Sequence, residues 1–84
     1  MTLDDSFAHA QRRAKSMVKR PSNQDLLDLY SLFKQGSVGD VTGKRPRLLD
    51  VKGRAMYDAW SRHRGMPMKE AQREYVALVD RLRG

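Results

Sequence analysis

Leu26-Leu-Asp-Leu-Tyr-Ser-Leu-Phe-Lys-Gln-Gly-Ser-Val-Gly-Asp40 joins a helical apolar pattern to an abrupt glycine-punctuated exit. Leu26, Leu29, Tyr30 and Phe33 follow the i, i+3, i+4, i+7 spacing that places side chains on one helical face. Leu27, Tyr30 and Lys34 mark the flank of that face. The pattern predicts a helix starting after Ser22 and running to Gln35, with Gly36 at the left-handed position that commonly ends a helix. Two readings of the stripe stand side by side. In one it is core, with Lys34 favoured near the C-terminus by the helix dipole. In the other Tyr30, Phe33 and Lys34 meet at a ligand, the rings covering a flat group and the ammonium reaching its anion.

The chain on either side is also helical. Thr2 is a predicted N-cap with Asp4 and Asp5 in the first turn, and Leu3, Phe7, Ala10, Ala14, Met17 and Val18 then recur at helical steps. Lys19-Arg-Pro-Ser22 breaks that helix, because Pro21 lacks a backbone donor and pushes Arg20 away from helical angles. Ser22 caps the central helix with Asp25 three residues on. From Gly36 to Arg47 no periodicity is present, only glycines, Pro46 and small polar residues, which predicts a loop of about a dozen residues. Leu49-Asp50 opens a third helix capped by Asp50, with Val51, Ala55, Met56, Ala59 and Trp60 as its apolar side. It ends around His63 to Gly65. Pro67 suits the first turn of a fourth helix, whose stripe is Ala71, Tyr75, Leu78, Val79 and Leu82. Four amphipathic helices without a strand pattern predict an all-α four-helix bundle.

The 84 residues, 39% of them apolar, are enough for one domain with a modest core. Residues 1–84 are therefore read as a single unit. Charged residues make up 32% of the chain, and no run approaches the ~18 apolar residues a membrane span needs. The acidic start, Met-Thr-Leu-Asp-Asp, is unlike a secretory signal and predicts a cytoplasmic protein. With no cysteine, disulfides, thiolate catalysis and cysteine-rich zinc sites are excluded. His9 and His63 make no metal-ligand spacing with nearby carboxylates, so surface or helix-end roles are expected, with no metal and no cofactor.

The net charge of +7 points toward phosphate-bearing partners. Gly43-Lys44-Arg45 lacks the upstream glycine and following hydroxyl of a nucleotide-triphosphate loop and follows a helix, not a strand. Gly36-Ser-Val-Gly39 spells the G-x-x-G of a KH module without the sheet that module requires. The basic residues are spread over several segments and interleaved with acids, unlike a nucleic-acid recognition helix. Catalysis finds neither a nucleophile elbow nor a thiol, so a non-enzymatic protein is expected. What remains is an aromatic surplus, Tyr30, Phe33, Tyr57, Trp60 and Tyr75 on three helices, with Lys15, Lys34, Lys52 and Arg54 close to the apolar stripes. That combination suits an amphiphilic ligand with a phosphate head and an apolar tail.

Two segments carry a resemblance to a known family. Tyr30-Ser-Leu-Phe-Lys-Gln-Gly-Ser-Val-Gly-Asp40, followed by Arg45-Pro-Arg-Leu-Leu-Asp-Val-Lys-Gly-Arg-Ala-Met-Tyr-Asp-Ala-Trp60, resembles the signature of the acyl-CoA-binding proteins. Phe7, Pro21, Ala71 and Tyr75 fall in register with it, so the likeness spans nearly the whole chain. It implies an up-down-down-up four-helix bundle, monomeric and non-catalytic, that carries or buffers medium- and long-chain fatty acyl-CoA esters. It also implies transient contact with membranes or acyl-CoA-using enzymes, and no nucleic-acid partner. The family's ligand contacts fall on Lys15, Tyr30, Phe33, Lys34, Lys52 and Tyr75. Tyr30 and Lys34 would engage the 3′-phosphate of CoA, Phe33 would lie against the adenine, and Tyr75 would donate a hydrogen bond to the ligand's polar middle. This sequence departs from the family pattern at Phe33, often tyrosine; at Tyr57, often tryptophan; at Pro67, often a serine or threonine cap; and at Met56, often a head-group lysine. Arg54 or Lys52, on a neighbouring turn, is the expected compensating phosphate contact.

Overall fold

The computed structural model describes residues 1–83 and contains four helices, α1 (Leu3–Lys15), α2 (Asn23–Ser37), α3 (Val51–Ser61) and α4 (Met68–Arg83), with no strand among those residues. Three of the four starts are set by the caps that the sequence predicts. Thr2 Oγ1 accepts from the Asp5 N–H at 3.2 Å while Asp5 Oδ2 accepts from the Thr2 N–H at 3.3 Å, a complete capping box. Ser22 Oγ accepts from the Asp25 N–H at 3.1 Å, and Asp50 Oδ1 from the Gly53 N–H at 2.9 Å. Each bond satisfies an N–H that has no partner inside its own helix. Pro67 immediately precedes α4 and its carbonyl accepts from the Ala71 N–H at 3.1 Å. It offers no side-chain acceptor, so α4 starts without a side-chain cap at that position.

Helix α4 packs against both α1 and α2, and α3 packs against α2. The core is formed by Phe7 and Ala10 of α1, Leu32 of α2, and Ala71, Tyr75, Leu78 and Val79 of α4. Ala10 and Ala71 have no exposed surface, and their small side chains let α1 and α4 approach closely. Phe7 meets Tyr75 edge to face with centroids 5.3 Å apart, and Phe33 joins them at 6.3 Å from Phe7 and 6.5 Å from Tyr75. The edge-to-face arrangement sets the positive rim of one ring against the negative face of the other.

The loop after α2 returns along α3. The Trp60 indole N–H donates to the Gly39 carbonyl at 2.8 Å, the Tyr57 hydroxyl to the Gly43 carbonyl at 2.9 Å, and Arg54 Nε to the Pro46 carbonyl at 2.8 Å. Successive loop residues thus meet α3 from its C-terminal end toward its N-terminal end. Helix α3 consequently runs parallel to α2, as the up-down-down-up order requires.

Several sequence expectations need correction. Helix α2 does not stop at Gln35: Gly36 is helical and buried, and the helix continues to Ser37. The left-handed residue is Gly39, at φ 95°, whose N–H bonds back to the Gln35 carbonyl at 3.2 Å. At position 36 glycine serves a close approach instead, since a Cβ there would lie 3.0 Å from Gln72 Cγ and 3.1 Å from Phe7 Cζ. Helix α1 ends at Lys15, so Val18 is fully exposed beyond it, while Met17 still reaches the core. Helix α3 ends at Ser61, and Val51, expected on its apolar side, is exposed.

Candidate functional site

Between α1, α2 and α4 lies an open cleft of about 310 Å³, lined by Gln11, Ala14, Lys15, Leu26, Leu29, Tyr30, Phe33 and Tyr75. The sequence builds it from three helical faces. Gln11, Ala14 and Lys15 lie one and two turns beyond the core residue Phe7, so α1 passes from buried to open along a single face. Leu26, Leu29, Tyr30 and Phe33 are the stripe of α2, and Tyr75 rises from the centre of α4. The stripe therefore faces both the core and the open cleft, but Lys34 does not line the cleft beside Tyr30 and Phe33. Leu29 and Phe33 pack against the core while also forming the cleft wall.

The polar groups of the cleft sit at its edges. Lys15 is exposed in the last turn of α1, where its charge complements the helix dipole. Tyr75 is buried, its hydroxyl has no hydrogen-bond partner among the described residues, and burial raises the pKa of that hydroxyl. Loss of its proton would place a charge in a poorly solvated site, so the phenol stays a neutral donor.

The remaining predicted contacts lie outside the cleft wall. Lys34 turns toward α3, its ammonium 4.8 Å from the centroid of the Trp60 ring. Lys52 is exposed in the first turn of α3, and the Arg54 side chain is tied to the loop through the Pro46 carbonyl. Met56 is half-buried in the same helix. The structure thus brings Lys15, Tyr30, Phe33 and Tyr75 together and sets Lys34, Lys52 and Arg54 on the α3 side of α2.

A profile of the family described as Acyl CoA binding protein matches residues 4–79. The chain belongs to the acyl-CoA-binding protein family. It is 48% identical over 82 residues to acyl-CoA-binding protein homolog 1 of Caenorhabditis elegans, covering 98% of this chain and 93% of the relative. It is 44% identical over 80 residues to the acyl-CoA-binding protein homolog of Drosophila melanogaster, covering 95% and 93%. Among solved structures, acyl-CoA-binding protein 2 of Oryza sativa superposes with a TM-score of 0.92 at 37% identity, covering 96% of this chain and 90% of that one.

Two features of this family member were not singled out from sequence. Gln11 lines the cleft beside Ala14 of the α1 stripe, and its spacing of one turn from both Phe7 and Lys15 is the signal that could have found it. The second is a polar buckle behind the site. The buried Gln35 side chain donates from Nε2 to Asp40 Oδ1 and to the Met66 carbonyl, both at 2.9 Å, and Asp40 Oδ1 also accepts from the Gly65 N–H at 2.8 Å. Hydrogen bonds from Gly65 and Gln35 hold the Asp40 carboxyl below its ordinary pKa. Nearby, Ser31 Oγ lies 3.0 Å from His63 Nε2, giving His63 a place just past the end of α3. Among the described residues, no group of three or more metal-ligating side chains converges and no helix is long and apolar enough to cross a membrane.

Proposed function

We propose that this chain is one acyl-CoA-binding domain that binds medium- and long-chain fatty acyl-CoA esters as a cytoplasmic, monomeric, non-catalytic carrier and buffer. The observation that carries this reading is the cleft itself, with leucine and aromatic walls and, at its edges, a neutral phenol and a lysine. The acyl chain lies along Leu26 and Leu29, where each buried methylene contributes roughly 0.8 kcal/mol before ordering costs. Tyr75 donates to the polar middle of the ligand. Phe33 presents its ring to the adenine.

The phosphates fall to Tyr30 and Lys34 at the 3′ position, with Lys15 and Lys52 adding charge around the head group. For Lys34 this means exchanging the Trp60 ring for a phosphate. A cation–π contact at a solvated site contributes about 0.5–1 kcal/mol, whereas a hydrogen bond to a charged group contributes about 1.5–3 kcal/mol. The exchange therefore favours the ligand. Arg54 supplies the cation that Met56 does not: with Nε held by Pro46, its remaining guanidinium N–H groups are free to turn to the pyrophosphate. Delivery proceeds through transient contact with membranes or with enzymes that use acyl-CoA.

Equilibrium dialysis against palmitoyl-CoA, its 3′-dephospho analogue, free CoA and palmitate tests this reading. Palmitoyl-CoA is expected to bind most tightly, and loss of the 3′-phosphate to weaken binding by about tenfold or more. Lys34→Ala should shrink that difference. Palmitate binding as tightly as its CoA ester, or no binding of any of the four, would sink the reading. If Arg54→Ala leaves palmitoyl-CoA affinity unchanged, the compensation assigned to Arg54 is wrong.

A further inference from the structure

The chain has four glutamines, and three of them use their side-chain amides inside the protein. Gln24 donates to Asp28 Oδ1 at 2.9 Å, Gln35 to Asp40 and to the Met66 carbonyl, and Gln72 to the Gly36 carbonyl at 2.9 Å. Gln11 differs. Further along the same helix, Arg13 Nη1 is bound to Asp80 at 2.6 Å and the Ser16 hydroxyl donates to the Arg13 carbonyl at 3.1 Å, whereas the Gln11 amide forms no hydrogen bond among the described residues. It is half-buried, and it belongs to the wall of the acyl-CoA cleft. A ligand that fills the cleft displaces water from this amide and must answer it or leave it unpaired.

The shape of the amide says what can answer it. A carboxamide holds an acceptor, Oε1, beside a donor, the Nε2–H group, in one plane. An acyl chain offers no complement to either, so a tail laid over Gln11 would shut both away. A phosphate accepts only, and sets its negative charge against Oε1. The secondary amides of the pantetheine arm do donate and accept, but a trans amide points its N–H and C=O in opposite directions and answers one group at a time. The adenine base carries the matching pair. Its N6 amino group donates beside an accepting ring nitrogen, N7 on one edge and N1 on the other, and a glutamine amide pairs with such an edge through two bonds. Phe33 and Gln11 wall the cleft from α2 and α1. A base whose face lies against Phe33 brings its edge to Gln11.

We propose that Gln11 reads the adenine of the ligand: Oε1 accepts from the N6 amino group while Nε2 donates to the adjacent ring nitrogen. The inference rests on the acyl-CoA reading and deepens it, because Phe33 can lie against any purine whereas Gln11 selects the base. It also orients the ligand, with the base beside Gln11 and Phe33 and the tail along Leu26 and Leu29.

Calorimetric titration with palmitoyl-CoA and with palmitoyl 1,N6-etheno-CoA provides the test. The etheno bridge removes the N6 donor from both edges of the base and keeps the sugar, the phosphates and the tail. The parent should bind the etheno ester about tenfold more weakly. Gln11→Met preserves the length and unbranched shape of the side chain without the amide. It should weaken palmitoyl-CoA by about tenfold and change the etheno ester by about twofold or less, so that the preference for adenine shrinks. Unchanged palmitoyl-CoA affinity in Gln11→Met overturns the proposal. An equal fall for both esters overturns it as well, since a residue that only supports the cleft wall would act on both. A parent that binds no palmitoyl-CoA removes the carrier reading and this proposal together. A parent that binds it tightly while Gln11→Met changes nothing removes the role of Gln11 alone.

Discussion

The two sides of α2 are held by different forces. Toward α1 and α4 it packs by shape: Phe7, Phe33 and Tyr75 interlock, and Ala10 and Ala71 let the helices close. Toward α3 and the turns around it, bonds with fixed partners dominate: Gln35 to Met66 and Asp40, Trp60 to Gly39, and Ser31 to His63. The apolar side is where the cleft opens, since apolar packing can exchange a side-chain neighbour for a ligand methylene with little penalty. The polar side cannot yield in that way without leaving buried groups unpaired. One helix face is therefore suited to take up an apolar ligand, and the opposite face keeps that helix in place.

Removing a ring from the apolar side should have the largest effect. Phe7→Ala is expected to cost about 3–5 kcal/mol in urea denaturation, a large share of the roughly 5–15 kcal/mol that holds a domain of ordinary stability. On the polar side, Gln35→Ala leaves the Met66 carbonyl and Asp40 short of a donor, and should cost about 1–3 kcal/mol. Denaturation at saturating palmitoyl-CoA sharpens the contrast. Ligand should recover less of the Phe7→Ala loss than of the Gln35→Ala loss, because Phe7 supports the cleft wall directly. Equal recovery in the two variants would mean that the sides are not functionally distinct.

The smallest effect is one of pH. The Asp40 carboxyl is held below its ordinary pKa by the Gly65 N–H and the Gln35 amide, and that of Asp58 is lowered by Arg45. A depressed folded-state pKa gives stabilisation that is fully present above the ordinary carboxylate value and lost as pH falls through the folded value. Melting temperature should accordingly drop below about pH 4, and Asp40→Asn should flatten part of that drop. An acid limb identical in the variant and the parent would show that the buckle does not depend on the Asp40 charge.

What the sequence made legible followed the same division. Local patterns identified the caps Thr2, Ser22 and Asp50 and the buried stripe of α4, because each depends on neighbours within a turn or two. Gly36 was misassigned because its role is set by Phe7 and Gln72, each about thirty or more positions away in the chain, and a glycine that permits close packing looks the same as one that ends a helix. Val51 follows the apolar spacing of α3 yet is exposed, since spacing fixes the face and not the extent of what covers it. The Gln35 buckle gave no local signal at all, its partners lying in two separate turns. For the site, periodicity brought Tyr30 and Phe33 to one face, while the gathering of Lys15 and Tyr75 around them depended on how the helices pack. The family signature supplied that assignment where spacing could not.

Titration calorimetry across saturated acyl-CoAs of increasing chain length tests most directly whether the apolar side of α2 is the acyl site. Affinity should climb with each added pair of methylenes by up to about tenfold, then level off once the cleft is full, with free CoA far weaker than any long-chain ester. Affinity independent of chain length, or free CoA binding as tightly as palmitoyl-CoA, would contradict it.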